Sequence, residues 1–208
     1  MTASTAHSGP IPEFVFVGGR PCLDLVDTVG KRGRVDFERL LDPERLGRWL
    51  RGVGLFDDPS EDPPTATSEE LDRFRELREA VYRLVRAQLD DRPADQADLD
   101  VVNREAASPD LVPQLHASSD GRSEGLTSAY RGASARVDAV LSTLARDAIA
   151  LLSGPLAERV KECEGADCTL VFLDDSQARR RRWCSMERCG NLAKIAKYRA
   201  RGASAGTE

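Results

Sequence analysis

The sequence has few aromatic residues and no long apolar run. Only 5% of its 208 residues are aromatic, although 40% are hydrophobic, so the expected core is aliphatic. No apolar run approaches the roughly 20 residues that a bilayer-spanning helix needs. The N-terminal stretch "MTASTAHSGPIPEF" lacks the basic and apolar blocks of a signal peptide. We therefore expect a cytoplasmic protein without a membrane partner, in which cysteines stay reduced.

The sequence also lacks the motifs of enzyme chemistry. Of its two histidines, His7 lies in the loose N-terminal tail and His116 lies alone without a ligand partner. There is no GxGxxG or P-loop pattern for phosphates, no GxSxG nucleophile motif and no HExxH zinc motif. Without these motifs, no residues of the sequence can be recognised as catalytic. We predict that the protein is not an enzyme.

Residues 13–155 predict a mainly helical segment with a few short strands. Asp42 has the position of an N-cap before a helix that stops near Gly54. Thr67 and Glu70 have capping-box spacing before a long amphipathic helix. Further helices are expected at "CLDLVDTV", at about 93–106 and at 134–154, and short strands at "EFVFVGG" and on both sides of Asp120–Gly121.

Positive charge is concentrated near the C-terminus. Residues 176–202 hold nine Arg or Lys and one acid, whereas the whole chain has a net charge of −5. The rest of the chain therefore sums to −13. Such asymmetry indicates nucleic acid or an acidic partner, although a charge run can also be only a solvated face. The residues predicted to contact DNA are Arg179, Arg180, Arg181, Arg182, Arg188, Lys194, Lys197 and Arg201.

Four cysteines form two pairs within 27 residues, and the second pair lies in the basic segment. Cys163 and Cys168 are separated by four residues, as are Cys184 and Cys189, with fifteen residues between the pairs. Two short knuckles of this kind can place four thiolates around one Zn²⁺, and four thiolates leave no open position for water. We therefore predict one structural zinc ion; the alternative is buried or disulfide-bonded cysteines.

The residues after Cys189 predict a basic helix. Asn191 is its expected N-cap, and Gly190 would allow close approach to the metal. At 100° per residue, the cationic face contains Lys194, Lys197 and Arg201. The opposite face contains Leu192, Ile195 and Ala196, and we expect it to dock on the knuckle and hairpin.

Charged residues near the N-terminus form a second candidate site. The candidate pocket consists of Arg20, Asp24, Asp27 and Arg32; the alternative is a charge cluster with structural hydrogen bonds at a helix start. Cys22 and Trp49 are expected in the core.

The stretch "FLDDSQARRRRWCSMERCGNLAKIAKYRAR", with the upstream cysteine pair, resembles the CGNR zinc-finger family. The stretch "FVGGRPCLDLVDTV" resembles the start of the ABATE domain that accompanies this finger. The resemblance implies a bacterial, stress-linked transcription regulator with Cys163, Cys168, Cys184 and Cys189 as zinc ligands. Two positions depart from the family pattern: Leu192 replaces the last Arg of CGNR, and Asp27 replaces an Asn.

We predict an α+β fold in four parts. Disordered tails occupy residues 1–12 and 203–208, an ABATE-like domain 13–155, and a treble-clef-like or ribbon zinc module 156–202. The leading function is a DNA-binding transcription regulator whose N-terminal domain senses a ligand or stress signal. The alternatives are a protein–protein adaptor and a small-molecule-binding domain stabilised by the finger. A small-molecule effector and a homodimer are further partners that the sequence leaves open.

Overall fold

The computed structural model describes residues 13–56, 63–117, 126–130 and 137–204. Helices make up about half of these residues, and three short antiparallel hairpins make up the strands of the described part. This confirms the mainly helical α+β fold. The elements are α1 Pro21–Val26, β1 Val29–Gly30, β2 Phe37–Glu38, α2 Pro43–Gly52, α3 Ser68–Leu89, α4 Gln96–Ala106, β3 Pro113–Ala117, β4 Leu126–Tyr130, α5 Val137–Leu152, β5 Val160–Glu162, β6 Val171–Leu173 and α6 Asn191–Ser204.

Two helices begin at the caps that the sequence predicts. The Asp42 side chain accepts a hydrogen bond from the backbone N–H of Arg45 at 2.8 Å, which starts α2. Thr67 and Glu70 form both bonds of a capping box at the start of α3. Each cap satisfies a backbone donor that would otherwise lack a partner, and this stabilises the protein by about 1 kcal/mol. The tails at 1–12 and 205–208 and the Asp120–Gly121 turn lie outside the described residues.

An aliphatic core forms where α3 packs against α1, α4 and α5. Trp49 and Phe74 are the largest side chains in it, and both are fully buried. Cys22 is also buried, as predicted. Each buried Leu or Val stabilises the fold by about 2 kcal/mol relative to exposure. Among the described helices, none combines the length and the apolar character that crossing a bilayer requires.

The strand predicted at residues 13–19 is absent. This segment forms no ladder; among the described residues, its backbone hydrogen bond to a strand is the one that Gly18 accepts from the N–H of Leu173 at 2.8 Å. The chain then turns at Gly19, whose φ of 75° suits a glycine, and enters α1. Because the chain turns at Gly19, directly after the hydrogen bond at Gly18, no further ladder hydrogen bonds to β6 form.

The β5–β6 hairpin lies between the helical core and the cysteines. Val160, Val171 and Leu173 belong to the main core, whereas Phe172 packs with the cysteine cluster. This division follows from the alternation of side chains along a strand. The hairpin is further fixed by the backbone N–H of Val171, which donates to Asp27 Oδ1 at 3.0 Å. The cysteine-bearing segment is therefore packed on the helices and does not hang from a linker.

Candidate metal centre and basic surface

The four paired cysteines converge on one point. Their sulfur atoms all lie within 4.8 Å of one another. The Sγ atoms of Cys184 and Cys189 are 3.7 Å apart, and those of Cys168 and Cys184 are 3.9 Å apart. Four sulfurs arranged tetrahedrally at 2.3 Å from Zn²⁺ would be about 3.8 Å apart. The geometry of the sulfur atoms therefore fits one zinc ion.

Local structure places each pair of ligands. Cys163 directly follows β5 and Cys168 precedes β6, so the first pair lies in the connection of the hairpin. Cys184 lies two residues before a π-helical turn, Met186–Gly190, that leads into α6, and Cys189 lies within this turn. The Ser185 side chain caps this turn by accepting from the backbone N–H of Arg188 at 3.1 Å. Ser185 is thus the N-cap, and the prediction of Asn191 as N-cap is wrong because the helix begins one turn earlier.

Backbone donors surround the sulfur of Cys163. The N–H of Cys184 donates to it at 3.2 Å, and the N–H of Gly165 donates at 3.4 Å. Hydrogen bonds of this kind stabilise the charged form of a thiolate, which is the form that binds zinc. Before a metal binds, a hydrogen bond with Cys184 and burial raise the pKa of Cys168, and burial raises the pKa of Cys189 to about 12. Zinc binding must therefore release protons.

Gly165 is the glycine that lies against the metal site. A Cβ at this position would be 2.9 Å from Cys189 Sγ and 3.1 Å from Cys168 Cβ. Gly190, which the sequence suggested for this role, instead packs against the Met186 side chain. The sequence alone does not indicate Gly165, because nothing in the four-residue spacing of the cysteines shows which residue of the first knuckle faces the second.

We expect Gly165→Ala to weaken zinc binding by about tenfold or more, because the added methyl pushes apart Cys168 and Cys189, whose backbone N–H groups are held by hydrogen bonds. The measurement is competition for zinc with a chromophoric chelator. Gly47→Ala is the matched control, since a Cβ at Gly47 meets no atom within 4 Å, and it should leave zinc affinity unchanged. Equal affinities for the two variants would contradict the assignment.

Two of the predicted DNA-contacting arginines make contacts within the protein. Arg181 donates to the carbonyl oxygens of Trp183 and Cys184, and its guanidinium lies 4.5 Å from the centre of the Phe172 ring. Arg182 forms an ion pair with Glu164 at 2.5 Å. These contacts fix the loop that carries the third ligand, so both side chains have a structural use.

The other cations of this surface are exposed. Among the described residues, no carboxylate forms an ion pair with the side chains of Arg179, Arg180, Arg188, Lys194 or Lys197. We call these five residues the basic surface. Arg201 lies on α6, but its side chain is not among those described.

The apolar face of α6 is not docked. Leu192 is 65% exposed and Ile195 48% exposed, and Ala196 is exposed too. The prediction that this face packs on the knuckle and hairpin is therefore wrong. The helix contacts mainly the π-helical turn before it, and no side chain described between Asn191 and Arg199 is buried, so neither face is covered along this stretch.

Family models match both parts of the chain. Residues 19–155 match ABATE, whose description is a putative stress-induced transcription regulator. Residues 159–202 match the CGNR zinc finger. The chain belongs to the ABATE family and ends in a CGNR zinc finger. A comparison with curated proteins finds no significant match. Together with the geometry of the sulfur atoms, the CGNR match establishes one structural zinc ion as the cofactor. The descriptions of the two families are those of a transcription regulator and a zinc finger, and neither is an enzyme family.

We call residues 19–155 the ABATE segment. Each of the four predicted pocket residues in this segment has its own polar contact within the protein. Arg20 pairs with Asp147 at 2.5 Å, and Asp24 accepts from the backbone N–H of Gly18 at 2.8 Å. Arg32 pairs with Glu79 at 2.7 Å. These contacts are the kind that a charge cluster at a helix start makes, and the pocket stays a prediction.

The fourth residue, Asp27, joins the ABATE segment to the finger. Its side chain is 2% exposed; Oδ1 accepts from Val171, while Oδ2 is buried without a partner among the described residues. Burial raises the pKa of Asp27 well above its usual value, and burial also raises the pKa of Asp24 to about 6. A protonated Asp27 is uncharged, like the Asn that the family pattern has here.

Asp27→Asn should raise the melting temperature at pH 8 by about 3 °C or more, since one unit of raised pKa corresponds to about 1.4 kcal/mol. Because the pKa of Asp27 is higher in the folded than in the unfolded protein, its protonated form stabilises the fold fully at pH values below the unfolded pKa of about 3.9. This stabilisation is lost as the pH rises through the folded-state pKa. The gain from the variant should therefore shrink as pH falls towards 4. Thermal melts from pH 4 to 8 measure this, with the exposed Asp100→Asn as control; a gain independent of pH would contradict burial of the charge.

Proposed function

We propose that this protein is a zinc-dependent transcription regulator that binds duplex DNA through its basic surface. In this proposal residues 156–202 form the DNA-binding zinc module, and residues 13–155 form the part that senses a ligand or stress signal. The family descriptions support a regulator with a zinc finger. The observation that carries DNA binding is a set of exposed cations without carboxylate partners around a metal-held turn.

The metal holds part of the basic surface in place. Arg188 lies between the ligands Cys184 and Cys189, and its backbone N–H is held by Ser185. Arg179 precedes the third ligand by five residues, and its carbonyl oxygen accepts from Lys161 Nζ at 2.8 Å. Fixed cations lose little conformational entropy on meeting a charged partner. Phosphates spaced along DNA are suited to such an array of Arg and Lys side chains.

An acidic protein surface is the second candidate partner. The exposed apolar residues of α6, Leu192, Ile195 and the 80% exposed Tyr198, favour it, because protein interfaces combine aromatic and aliphatic anchors with charge. In that case the chain would be an adaptor. A second copy of the chain could also cover this face, and homodimerisation stays a prediction.

Selection from a pool of random duplexes tests the proposal. Purified full-length protein with one zinc per chain is expected to enrich a defined set of sequences, and the same protein stripped with a chelator is expected to enrich none. Retention of a protein partner after nuclease treatment, together with no enrichment of DNA by the zinc-loaded protein, would replace the DNA-binding proposal with the adaptor function.

A further inference from the structure

A cavity lies between three helices of the ABATE segment, α3, α4 and α5. Its volume is about 380 Å³, within the range of small-molecule sites. The C-terminal end of α3, the middle of α4 and the C-terminal end of α5 form its walls. The walls are aliphatic: Leu84, Ala87, Leu99, Val102, Ala148 and Leu152. This composition favours a ligand with an apolar body.

The polar residues of the cavity are donors or neutral groups. Arg92 is the charged residue of the lining, and no Asp or Glu is among the residues that line the cavity. Arg92 uses one nitrogen for an ion pair with Asp90 at 3.0 Å and keeps other donors. Asn103 adds an exposed amide, which has no hydrogen-bond partner among the described residues. These donors suit a carboxylate or sulfonate group at the cavity entrance.

We propose that this cavity binds a small apolar monoanion, such as a medium-chain or aromatic carboxylate, and that this ligand is the effector of the regulator. The cavity is separate from the charge cluster of Arg20, Asp24, Asp27 and Arg32. The binding site stands on the cavity alone, whereas the effector role rests on the proposed function.

Two walls of the cavity lead directly into the zinc module. At the end of α3, Gln88 lines the cavity and donates through Nε2 to the carbonyl oxygen of Ala157, while Arg86 pairs with Glu162 of β5. At the end of α5, the chain passes from Ser153, another lining residue, to β5 within a few residues. A ligand that moves or stiffens these helix ends changes the support of the hairpin, and this is a physical coupling between the sites.

Dye displacement on the full-length, zinc-loaded protein tests the site. Anilinonaphthalene sulfonate is an apolar monoanion whose fluorescence rises on binding, and we expect octanoate and phenylpropionate to displace it. Ile149 lines the entrance and is 38% exposed, so Ile149→Glu should fold normally and repel an anion. We expect this variant to bind the dye and octanoate about tenfold more weakly, and neutral octanol with a smaller change.

Ile195→Glu is the matched control, because this isoleucine is similarly exposed but lies on α6. It should leave dye binding unchanged. Dye binding that is lost in Ile195→Glu and kept in Ile149→Glu would overturn the cavity site, as would a dye that no carboxylate displaces. Displacement by only one of the two carboxylates distinguishes an aliphatic from an aromatic ligand.

A DNA titration then separates the two proposals. Octanoate should change the DNA affinity of the unmodified protein by about threefold or more and that of Ile149→Glu by much less. DNA binding that octanoate leaves unchanged overturns the effector role, while the regulator function stands. Displaceable dye binding in a protein that binds no DNA leaves the cavity site in place and overturns the proposed function.

Discussion

Replacing Cys184 with serine is expected to remove the zinc ion and to unfold the C-terminal module. Cys184 is completely buried, and its sulfur lies within 4 Å of the sulfurs of two other ligands, 3.7 Å from Cys189 and 3.9 Å from Cys168. Zinc binding contributes on the order of 10 kcal/mol to folding in modules of this kind. A segment with few large apolar residues cannot replace that contribution through its own core.

The loss should extend beyond the finger. Phe172 packs on the cysteine cluster, whereas its neighbours Val171 and Leu173 belong to the helical core, so a disordered hairpin would expose apolar surface on both sides. We therefore expect the melting temperature of the ABATE segment to fall as well. The measurements are elemental analysis, thermal melting and DNA binding on the same preparation.

Cys22→Ala is the control for this substitution. Cys22 is equally buried but packs in the helical core, away from the other four cysteines. The variant should lose some stability, as small core truncations do, but keep one zinc per chain and bind DNA normally. A Cys184→Ser protein that still holds one zinc with unchanged affinity would show that the sulfur is not a ligand.

Removing three cations of the basic surface should weaken DNA binding without affecting the metal. With five phosphate contacts, the slope of log affinity against log salt concentration is expected to be about −4 to −5. The triple variant Arg180→Ala, Lys194→Ala and Lys197→Ala should bring the slope to about −2 and reduce affinity on the order of 100-fold near 0.1 M salt. Fluorescence anisotropy across a salt series measures both quantities.

Two controls separate contact with DNA from general charge effects. Arg48, Arg104 and Arg146 are exposed arginines of the ABATE segment, and their joint replacement with alanine removes the same charge but should leave the slope unchanged. Arg181→Ala should instead lower zinc affinity and melting temperature, because Arg181 holds the loop around Cys184. A DNA affinity that does not vary with salt would contradict the basic surface as the binding site.

Features of this protein that depend on local sequence could be predicted. The capping box of Thr67 and Glu70 is made by residues three apart, so its pattern is complete within one turn. The two cysteine pairs are far apart in the sequence, but each pair closes its own short loop. The tetrahedral coordination of zinc then determines how the two pairs come together. The mainly helical fold followed from apolar periodicity in the same way.

The features that were missed depend on where elements lie in space. Helical periodicity shows that Leu192 and Ile195 share a face, but it does not show whether any element lies opposite that face. The sharing of β6 between two clusters depends on how the hairpin sits on the helices, as does the buried bond from Asp27 to Val171. The cavity between α3, α4 and α5 likewise results from the crossing of three helices and has no motif.

One zinc ion bound by four sulfur atoms is the feature on which both the fold of the C-terminal module and the basic surface depend. X-ray absorption at the zinc edge, on purified full-length protein, measures the number and kind of ligands directly. We expect one zinc per chain with four sulfur neighbours at about 2.3 Å and no nitrogen or oxygen ligand. A first shell that contains oxygen or nitrogen, or a chain that folds fully without zinc, would contradict it.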